Sequence, residues 1–366
     1  MAKKKKNFSS FVNNPVDFTL LITILLLLAI GLTMVLSASS PSALSETGNS
    51  YSFFSKQLFF AVIGLACMLF ISKIDYRFYK KFYKHSWWIA LALLLLVLIA
   101  GKTINGAKRW LYLTESLSFQ PSEVVKLLMI IFYAGVLVKN RDELSKYGKG
   151  FIKHILFLVP IIGLLLIEPH FSASIVIIAI VSVMMIMAGC KFWHFIATGG
   201  TVGVMGVIAL IVKEPYRLQR VVTFLDPWKD ATGNGWQVIQ SLYAIGSGGL
   251  FGLGLGESKQ KYLYIPEPHN DFIFSILGEE LGFIGCAVVL ILFAIFIWRG
   301  ILIAMKAPDM FGSLIAIGIT TLVAIQVIIN VAVVTSSMPA TGMPLPFFSY
   351  RRNGTYDFIM RDGSIA

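Results

Sequence analysis

Nine long apolar runs, separated by shorter polar segments, organise this chain. Each approaches the length of about 20 mostly apolar residues that a membrane-spanning helix needs. The runs lie at residues 18–37, 56–72, 86–101, 122–138, 152–167, 171–188, 192–212, 272–298 and 310–333. The pattern predicts an all-α polytopic membrane protein, in which 1–366 forms one integral membrane domain of about nine transmembrane helices with one large extracytoplasmic loop at 213–271.

The composition supports this fold class and excludes an ordinary soluble domain. The chain is 57% hydrophobic and 14% charged, whereas soluble domains are about 45–50% apolar and about 25% charged. The net charge of +12 comes mostly from short loops between spans, which points to membrane orientation and anionic lipid rather than nucleic acid. The cysteines have no CxxC spacing and lie in or beside apolar runs: Cys67, Cys190 and Cys286. We expect small buried hydrophobes there, without a metal or disulfide framework.

The distribution of Lys and Arg predicts the orientation. With a cytoplasmic N-terminus, the inside loops carry 16 basic residues and the short outside loops carry 3. This asymmetry follows the positive-inside rule and places both 102–121 and 213–271 outside. The first run follows Lys3–Lys6 but is too long for a signal peptide, so we expect it to be a retained span.

Cations outside the membrane are the first candidate chemistry. Lys108 and Arg109 stand beside Trp110, and Arg217 and Arg220 are spaced to share a helical face at the start of the long loop. Such groups bind phosphate oxygens through charge-assisted hydrogen bonds. Ordinary contact with lipid headgroups is the alternative for Lys108 and Arg109.

A charged pair is predicted at the start of the fourth span. Pro121 is suited to the first turn of a helix and Ser122 to its cap. Glu123 and Lys126 would then be i,i+3 neighbours able to pair. Ionisable groups within a span usually face the bundle interior or a wet cavity. Either a structural ion pair or a catalytic or substrate-facing role fits this pattern.

The long loop combines polar side chains with a glycine-rich run at 246–256. This run is not a phosphate-binding P-loop, because no Gly-Lys-Ser/Thr follows and no strand precedes it. Its glycines either permit close packing or let the backbone line a polar groove. Polar residues of the same interval are expected to contact substrate: Gln237, Ser258, Lys259 and His269.

Asp271 ends the polar interval immediately before an apolar run. One explanation is that it caps the following helix. The other is that a carboxylate at a half-dry boundary acts as a general base, with a pKa raised towards neutrality. Glu279 and Glu280 follow inside the same run, which indicates a wet cavity or a polar partner.

Eight motifs, in the same order, resemble the SEDS family of peptidoglycan polymerases, the FtsW/RodA/SpoVE type. The resemblance covers residues from about 15 to 350, and the division and sporulation branch is the closer match. The motifs begin at Asn105, Phe119, Gly235, Gln240, Gly249, Pro266, Gly278 and Thr341.

The resemblance implies polymerisation of lipid II at the outer face of the bacterial cytoplasmic membrane, for division, cell shape or sporulation. The family's essential acid falls on Asp271. Lys108, Arg109, Arg217 and Arg220 would meet the charge of the departing undecaprenyl pyrophosphate, or a divalent cation such as Mg²⁺ or Mn²⁺ would do so. Glu123 and Lys126 would correspond to the family's intramembrane ion pair. A class B penicillin-binding transpeptidase would be the partner.

The chain departs from the family pattern at two places. It has Glu168-Pro-His170 where the family often reads Gln-Pro-Asp, so no role is carried over to His170. Residues 351–366 cannot span the membrane, whereas the family continues with Gly-Gly-Thr and a tenth apolar helix. With suitable codons, a one-base shift at residue 351 would restore that ending, so we expect a frameshifted tail that impairs the enzyme.

Two other functions fit the same sequence. A multispan bundle with intramembrane charges is also typical of a transporter or flippase of the lipid. A non-catalytic scaffold for a partner synthase is the third hypothesis. Chemistry requires an acid at the outer sugar level, whereas translocation requires a polar path across both leaflets. The polar groups are concentrated outside, and this favours the enzyme.

Overall fold

The protein is a helical bundle with one small sheet. The computed structural model describes residues 17–104, 107–112, 118–198, 223–233, 235–262, 264–265 and 268–348. The helices are α1 (Phe18–Thr47), α2 (Ser52–Ile71), α3 (Arg77–Ala100), α4 (Pro121–Lys139), α5 (Lys153–Ile167), α6 (Phe171–Ala188), α7 (Phe192–Thr198), α8 (Trp236–Gly248), α9 (Ile273–Lys306) and α10 (Met310–Val334). A 3₁₀ turn (Arg141–Glu143), a π-helical turn (Tyr147–Ile152) before α5 and a 3₁₀ turn (Pro227–Asp230) before α8 complete the helical elements.

Eight helices in the described part of the chain are long and apolar enough to cross a membrane. They coincide with eight of the nine predicted runs and confirm the predicted fold class. The remaining run, 192–212, begins as α7, and its remainder, 199–212, lies outside the described residues. So do the tail 351–366 and the position expected for a tenth span.

The helix ends differ from the apolar runs. The first helix continues ten residues beyond the predicted end, to Thr47, where Gly48 closes it with φ 69°. Its polar extension remains helical because Ser37, Ser39 and Ser42 are buried in the bundle. Pro121 begins α4 as predicted, but Gln120 occupies the N-cap position and Ser122 is inside the helix. The prediction of a Ser122 cap was therefore wrong.

The centre of the bundle is formed by α4, α6 and α10, which pack against one another. The third helix packs on α4, while α1 and α8 pack on α9. The segment between α3 and α4 forms an antiparallel sheet of β1 (Lys102–Ile104), β2 (Ala107–Tyr112) and β3 (Ser118–Phe119), in the order β1-β2-β3. This sheet was not predicted from the sequence.

Two polar clusters lie at separate levels along α1 and α9. At one level, Arg299 Nε donates to Asp17 Oδ2 over 3.1 Å. At the other, Ser37 Oγ donates to Glu280 Oε1 over 2.6 Å. About 20 residues of helix separate the two levels, which is about 30 Å and matches the thickness of the hydrocarbon core. Glu280 therefore lies near the boundary opposite Asp17.

The ninth helix is interrupted at Gly282, which has φ 65° and ψ −166°. The interruption frees the carbonyls of Glu279 and Glu280, which accept from the amides of Leu253 at 2.9 Å and Gly254 at 3.1 Å. The freed amides of Phe283 and Ile284 donate to the carbonyls of residues 249 and 250, at 2.9 and 3.1 Å. The glycine-rich run thus satisfies the backbone groups that the break exposes, as burial requires.

Candidate active site

Asp271 is half-buried, two residues before the start of α9. Its main-chain carbonyl accepts a 2.8 Å hydrogen bond from Asn330 Nδ2, and the same amide group donates to the carbonyl of Met343 over 2.7 Å. One buried side chain of α10 therefore holds both the chain at Asp271 and the segment that follows α10. Phe272 occupies the N-cap position of α9 and forms no side-chain capping hydrogen bond.

The Asp271 carboxylate lies beside the segment that follows α10. Gly342 has φ 69°, and a Cβ atom there would stand 3.3 Å from Asp271 Oδ2. Ser172 Oγ, in the first turn of α6, donates to the carbonyl of Thr341 over 2.6 Å. The Thr341 motif, noted in the sequence only for its resemblance, thus joins the ends of three helices around the acid.

His269 is buried, and its ring contacts Phe53 of α2 with ring centroids 5.3 Å apart. This contact fixes the chain just before Asp271. His269 therefore has a packing role, and its predicted contact with substrate stays a prediction.

Glu123 and Lys126 form the ion pair that their spacing predicts, with 2.7 Å between Lys126 Nζ and Glu123 Oε2. The lysine side chain is 1% exposed and the glutamate side chain is 42% exposed. The carboxylate is thus the accessible member of the pair. The cation is held inside the bundle.

Arg109 does not project freely from the sheet. Its guanidinium donates to the main-chain carbonyls of Glu168, over 3.4 Å, and Pro169. It therefore binds the C-terminal end of α5, where unpaired carbonyls favour a cation. Lys108 is exposed, and its Nζ donates to the carbonyl of Leu98 over 3.4 Å. Of these two predicted phosphate ligands, Lys108 is the more accessible.

The other predicted substrate residues fall in different surroundings. Ser258 is fully buried and its hydroxyl donates to Glu279 Oε2, which does not support its assignment as a substrate contact. Lys259 is exposed and Gln237, in the first turn of α8, is half-buried. Arg217 and Arg220 lie outside the described residues.

Sequence reasoning assigned no role to two polar groups near this end of the bundle. Asn330 is 1% exposed within α10, and a polar residue inside an apolar run was the available signal. Glu168 is also buried, and its Oε1 has no hydrogen-bond partner among the described residues. Its proximity to Arg109 depends on a contact between distant parts of the chain, which no local pattern reveals.

The Glu168 carboxyl gives a pH prediction. Burial raises its pKa to about 8, against the opposing influence of the Arg109 cation. The folded protein then retains a proton between about pH 4.5 and pH 8 that the unfolded chain releases. The free energy of unfolding should therefore fall as the pH rises through this window and level off above it. Glu168→Gln should flatten this fall by about 1.4 kcal/mol per pH unit.

Unfolding in detergent between pH 5 and pH 9 measures this effect. Asp142→Asn is the matched control, because Asp142 is exposed, and it should keep the wild-type slope. Parallel curves for the wild type and Glu168→Gln would show that Glu168 does not retain the proton.

Comparisons with known proteins match this architecture over nearly the whole chain. The model of the family FTSW_RODA_SPOVE, described as "Cell cycle protein", matches residues 18–354. Stage V sporulation protein E of Bacillus subtilis (strain 168) is 44% identical over 336 residues, which cover 91% of each chain. A probable peptidoglycan glycosyltransferase FtsW of Trichlorobacter lovleyi is 41% identical over 336 residues, 91% of this chain and 88% of that protein.

Solved structures give the same result. A chain in the structure described as "Structural coordination of polymerization and crosslinking by a peptidoglycan synthase complex" has a TM-score of 0.76 and 28% identity, with 92% of each chain covered. The rod shape determining protein RodA of Thermus thermophilus has a TM-score of 0.67 and 26% identity, covering 92% of this chain and 90% of that one.

Proposed function

The chain belongs to the FTSW_RODA_SPOVE family of cell cycle proteins, and from that membership we propose that it is a peptidoglycan glycosyltransferase. Its substrate is lipid II, which it polymerises into glycan strands at the outer face of the bacterial cytoplasmic membrane. The strands serve division, cell shape or sporulation. The observation that carries the proposal is the half-buried Asp271, held at the end of α9 by Asn330 and bordered by Gly342.

The proposed orientation places the N-terminus in the cytoplasm. The distribution of basic residues supports it. The distance between the two polar clusters along α1 is about the thickness of the hydrocarbon core, which is consistent with one cluster at each boundary. With Asp17 at the inner boundary, Ser37 and Glu280 lie near the outer one. Asp271 precedes Glu280 in the chain and lies just before the outer end of α9. An acid at this level can reach the sugars of a lipid-linked substrate, whose polar part lies outside the hydrocarbon.

In the proposed reaction Asp271 is the general base. Its carboxylate takes the proton from the 4-hydroxyl of the acceptor sugar. The oxygen then attacks the anomeric carbon of the donor chain, forming the new glycosidic bond. The bond from that carbon to the pyrophosphate oxygen breaks, and undecaprenyl pyrophosphate leaves with the electron pair. General base catalysis of this kind typically contributes about 10²- to 10⁴-fold in rate.

The departing pyrophosphate needs compensating positive charge. Lys108, which is exposed, and the basic residues Arg217 and Arg220 are proposed to supply it, together with Lys259. Arg109 contributes by holding the end of α5 as well as by its charge. The accessible carboxylate of the Glu123–Lys126 pair is proposed to face the cavity that receives the substrate. Gln237 and His269 complete the proposed substrate-binding set.

A class B penicillin-binding transpeptidase is the proposed partner. The described residues form helices and a small sheet of three short strands, and we assign crosslinking of the strands to another protein. The similarity to a chain of a peptidoglycan synthase complex supports such a pairing.

The test is glycan-strand formation from purified lipid II by the purified chain, alone and with the transpeptidase. A second sample carries the family-type ending in place of residues 351–366. We expect polymer from at least the family-type sample with its partner, and repetition in EDTA decides whether a divalent cation is required. Movement of lipid II across vesicle membranes without polymer would instead support a flippase. If no sample shows polymerisation or lipid II movement, the result would support the scaffold hypothesis.

A further inference from the structure

A buried ionic cluster joins the chain ahead of Asp271 to two membrane helices. Lys261 Nζ lies 3.0 Å from Glu280 Oε1 of α9 and 3.1 Å from Ser37 Oγ of α1, and it also donates to the carbonyl of Gly256 over 2.5 Å. The Ser37 hydroxyl donates to the same Glu280 oxygen. The Lys261 and Glu280 residues are 3% and 1% exposed. The lysine thus makes three directed contacts with three parts of the structure.

The preceding acid, Glu279, holds the adjacent residues. Its carboxylate accepts from the hydroxyl of Ser258, from the amide of Lys259 at 2.9 Å and from the amide of Gln260 at 3.3 Å. Two consecutive glutamates in α9 therefore bind four consecutive residues, 258–261. The sequence indicated a wet cavity or a polar partner for these two acids in an apolar run, and their partner is residues 258–261 of the same chain.

The clamp formed by Lys261, Glu280 and Ser37 is linked to Asp271 through the chain on both sides, because Lys261 precedes Asp271 and Glu280 follows it. Ten residues lead from Lys261 to Asp271, which then enters α9. Along α9 itself, Glu280 follows Ile273, the first residue of the helix, by about two turns, or about 10 Å. The chain that carries the acid is consequently short and anchored to the same helix at both ends. Trp236 Nε1 of α8 adds a 2.7 Å hydrogen bond to the carbonyl of Tyr264 within it.

We infer that Lys261, Glu280 and Ser37 are positioning residues that fix the location of Asp271 relative to α1 and α9. This inference rests on the proposed function for its catalytic consequence. A movement of about 1 Å at a reacting group can change a rate by about 10²-fold. The three-point attachment of Lys261 restrains the start of the chain that leads to Asp271.

The charges distinguish positioning from simple stabilisation. A buried ion pair is weak evidence for stability, since its removal as a pair is often tolerated, whereas loss of one partner leaves an uncompensated charge. The double variant Lys261→Met with Glu280→Gln removes both charges while roughly conserving volume. If the pair only stabilises the fold, the folded double variant should retain its full rate.

The experiment compares Lys261→Met, Glu280→Gln, their double variant and Ser37→Ala with the control Glu257→Gln, whose side chain is exposed on the same loop. For folded protein, we expect the double variant to lower kcat for polymerisation by about 10²-fold with KM nearly unchanged. Ser37→Ala, which leaves the ion pair in place, should lower it less. Amide hydrogen exchange at residues 269–271 should rise at least about tenfold in the double variant, while the central helices keep their protection.

Each outcome decides the inference. Exchange and kcat equal to those of Glu257→Gln would overturn it, and so would a rise in KM with kcat unchanged. If the wild type makes no polymer, the proposed function fails, yet the exchange measurement still tests the clamp. Unchanged exchange at residues 269–271 in Ser37→Ala and the double variant would then refute the positioning role by itself.

Discussion

Asp271→Asn is expected to lower kcat for glycan polymerisation by about 10²- to 10⁴-fold while leaving the fold intact. Asparagine has the same shape but cannot take the acceptor's proton. Initial rates with labelled lipid II and strand lengths on gels measure the effect. KM should change little, because the lost interaction belongs to the transition state rather than to the bound substrate.

The same variant separates catalysis from helix capping. Asparagine caps helices about as well as aspartate, so a purely capping Asp271 would leave both stability and activity unchanged in Asp271→Asn. The structure already weighs against capping, since Phe272 is the N-cap of α9. Glu257→Gln, an exposed acid on the same loop, is the control and should retain wild-type kcat. A rate within tenfold of the wild type in Asp271→Asn would refute the general-base role.

The membrane spans could be predicted because a bilayer imposes length and hydrophobicity on each helix. Their ends could not, since α1 continues to Thr47 through a polar extension in which the bundle buries Ser39 and Ser42. The short helix α8 was overlooked within the polar loop. Its buried face uses Gln240, Ala244 and Gly248, a spacing of four with small residues that suits close packing, but it lacks the apolar length that identifies a span.

The candidate site could be predicted in part. The Glu123–Lys126 pair follows from local helical spacing. The contacts of Arg109 do not, because its partners are carbonyls about 60 residues away. The assignment of Ser258 to substrate also depended on sequence proximity to other polar groups, whereas its actual partner is Glu279. Long-range contacts decide which polar residues face substrate and which hold the chain.

The glycine-rich run illustrates how such contacts change an interpretation. The sequence allowed either a polar groove or close packing, and the backbone bonds to α9 establish close packing. At Gly282, a Cβ atom would come within 2.3 Å of the Gly252 amide nitrogen and 2.7 Å of the Leu250 carbonyl carbon. At Gly252, it would come within 2.1 Å of the Glu280 carbonyl oxygen. Neither approach can be relieved by moving a flexible side chain.

Gly282→Ala is therefore expected to destabilise the protein by about 3 kcal/mol or more. A left-handed backbone conformation costs a non-glycine residue about 1–3 kcal/mol, and the forced separation of the two backbones adds about 1–3 kcal/mol. Thermal unfolding in detergent should show a Tm lower by about 4 °C or more. Because Glu279 and Glu280 lie just before the break, the variant should also lose polymerase activity as the clamp on Lys261 is displaced.

Gly64→Ala is the matched control for this variant. Gly64 lies within α2, has ordinary helical geometry, and a Cβ atom there would have nothing within 4 Å. Alanine favours a helix interior by about 1 kcal/mol over glycine, so this control should be as stable as the wild type or slightly more stable. If Gly282→Ala unfolds at the same temperature as Gly64→Ala, the backbone bonds across the break do not hold the loop in solution. The clamp ahead of Asp271 would then need another anchor.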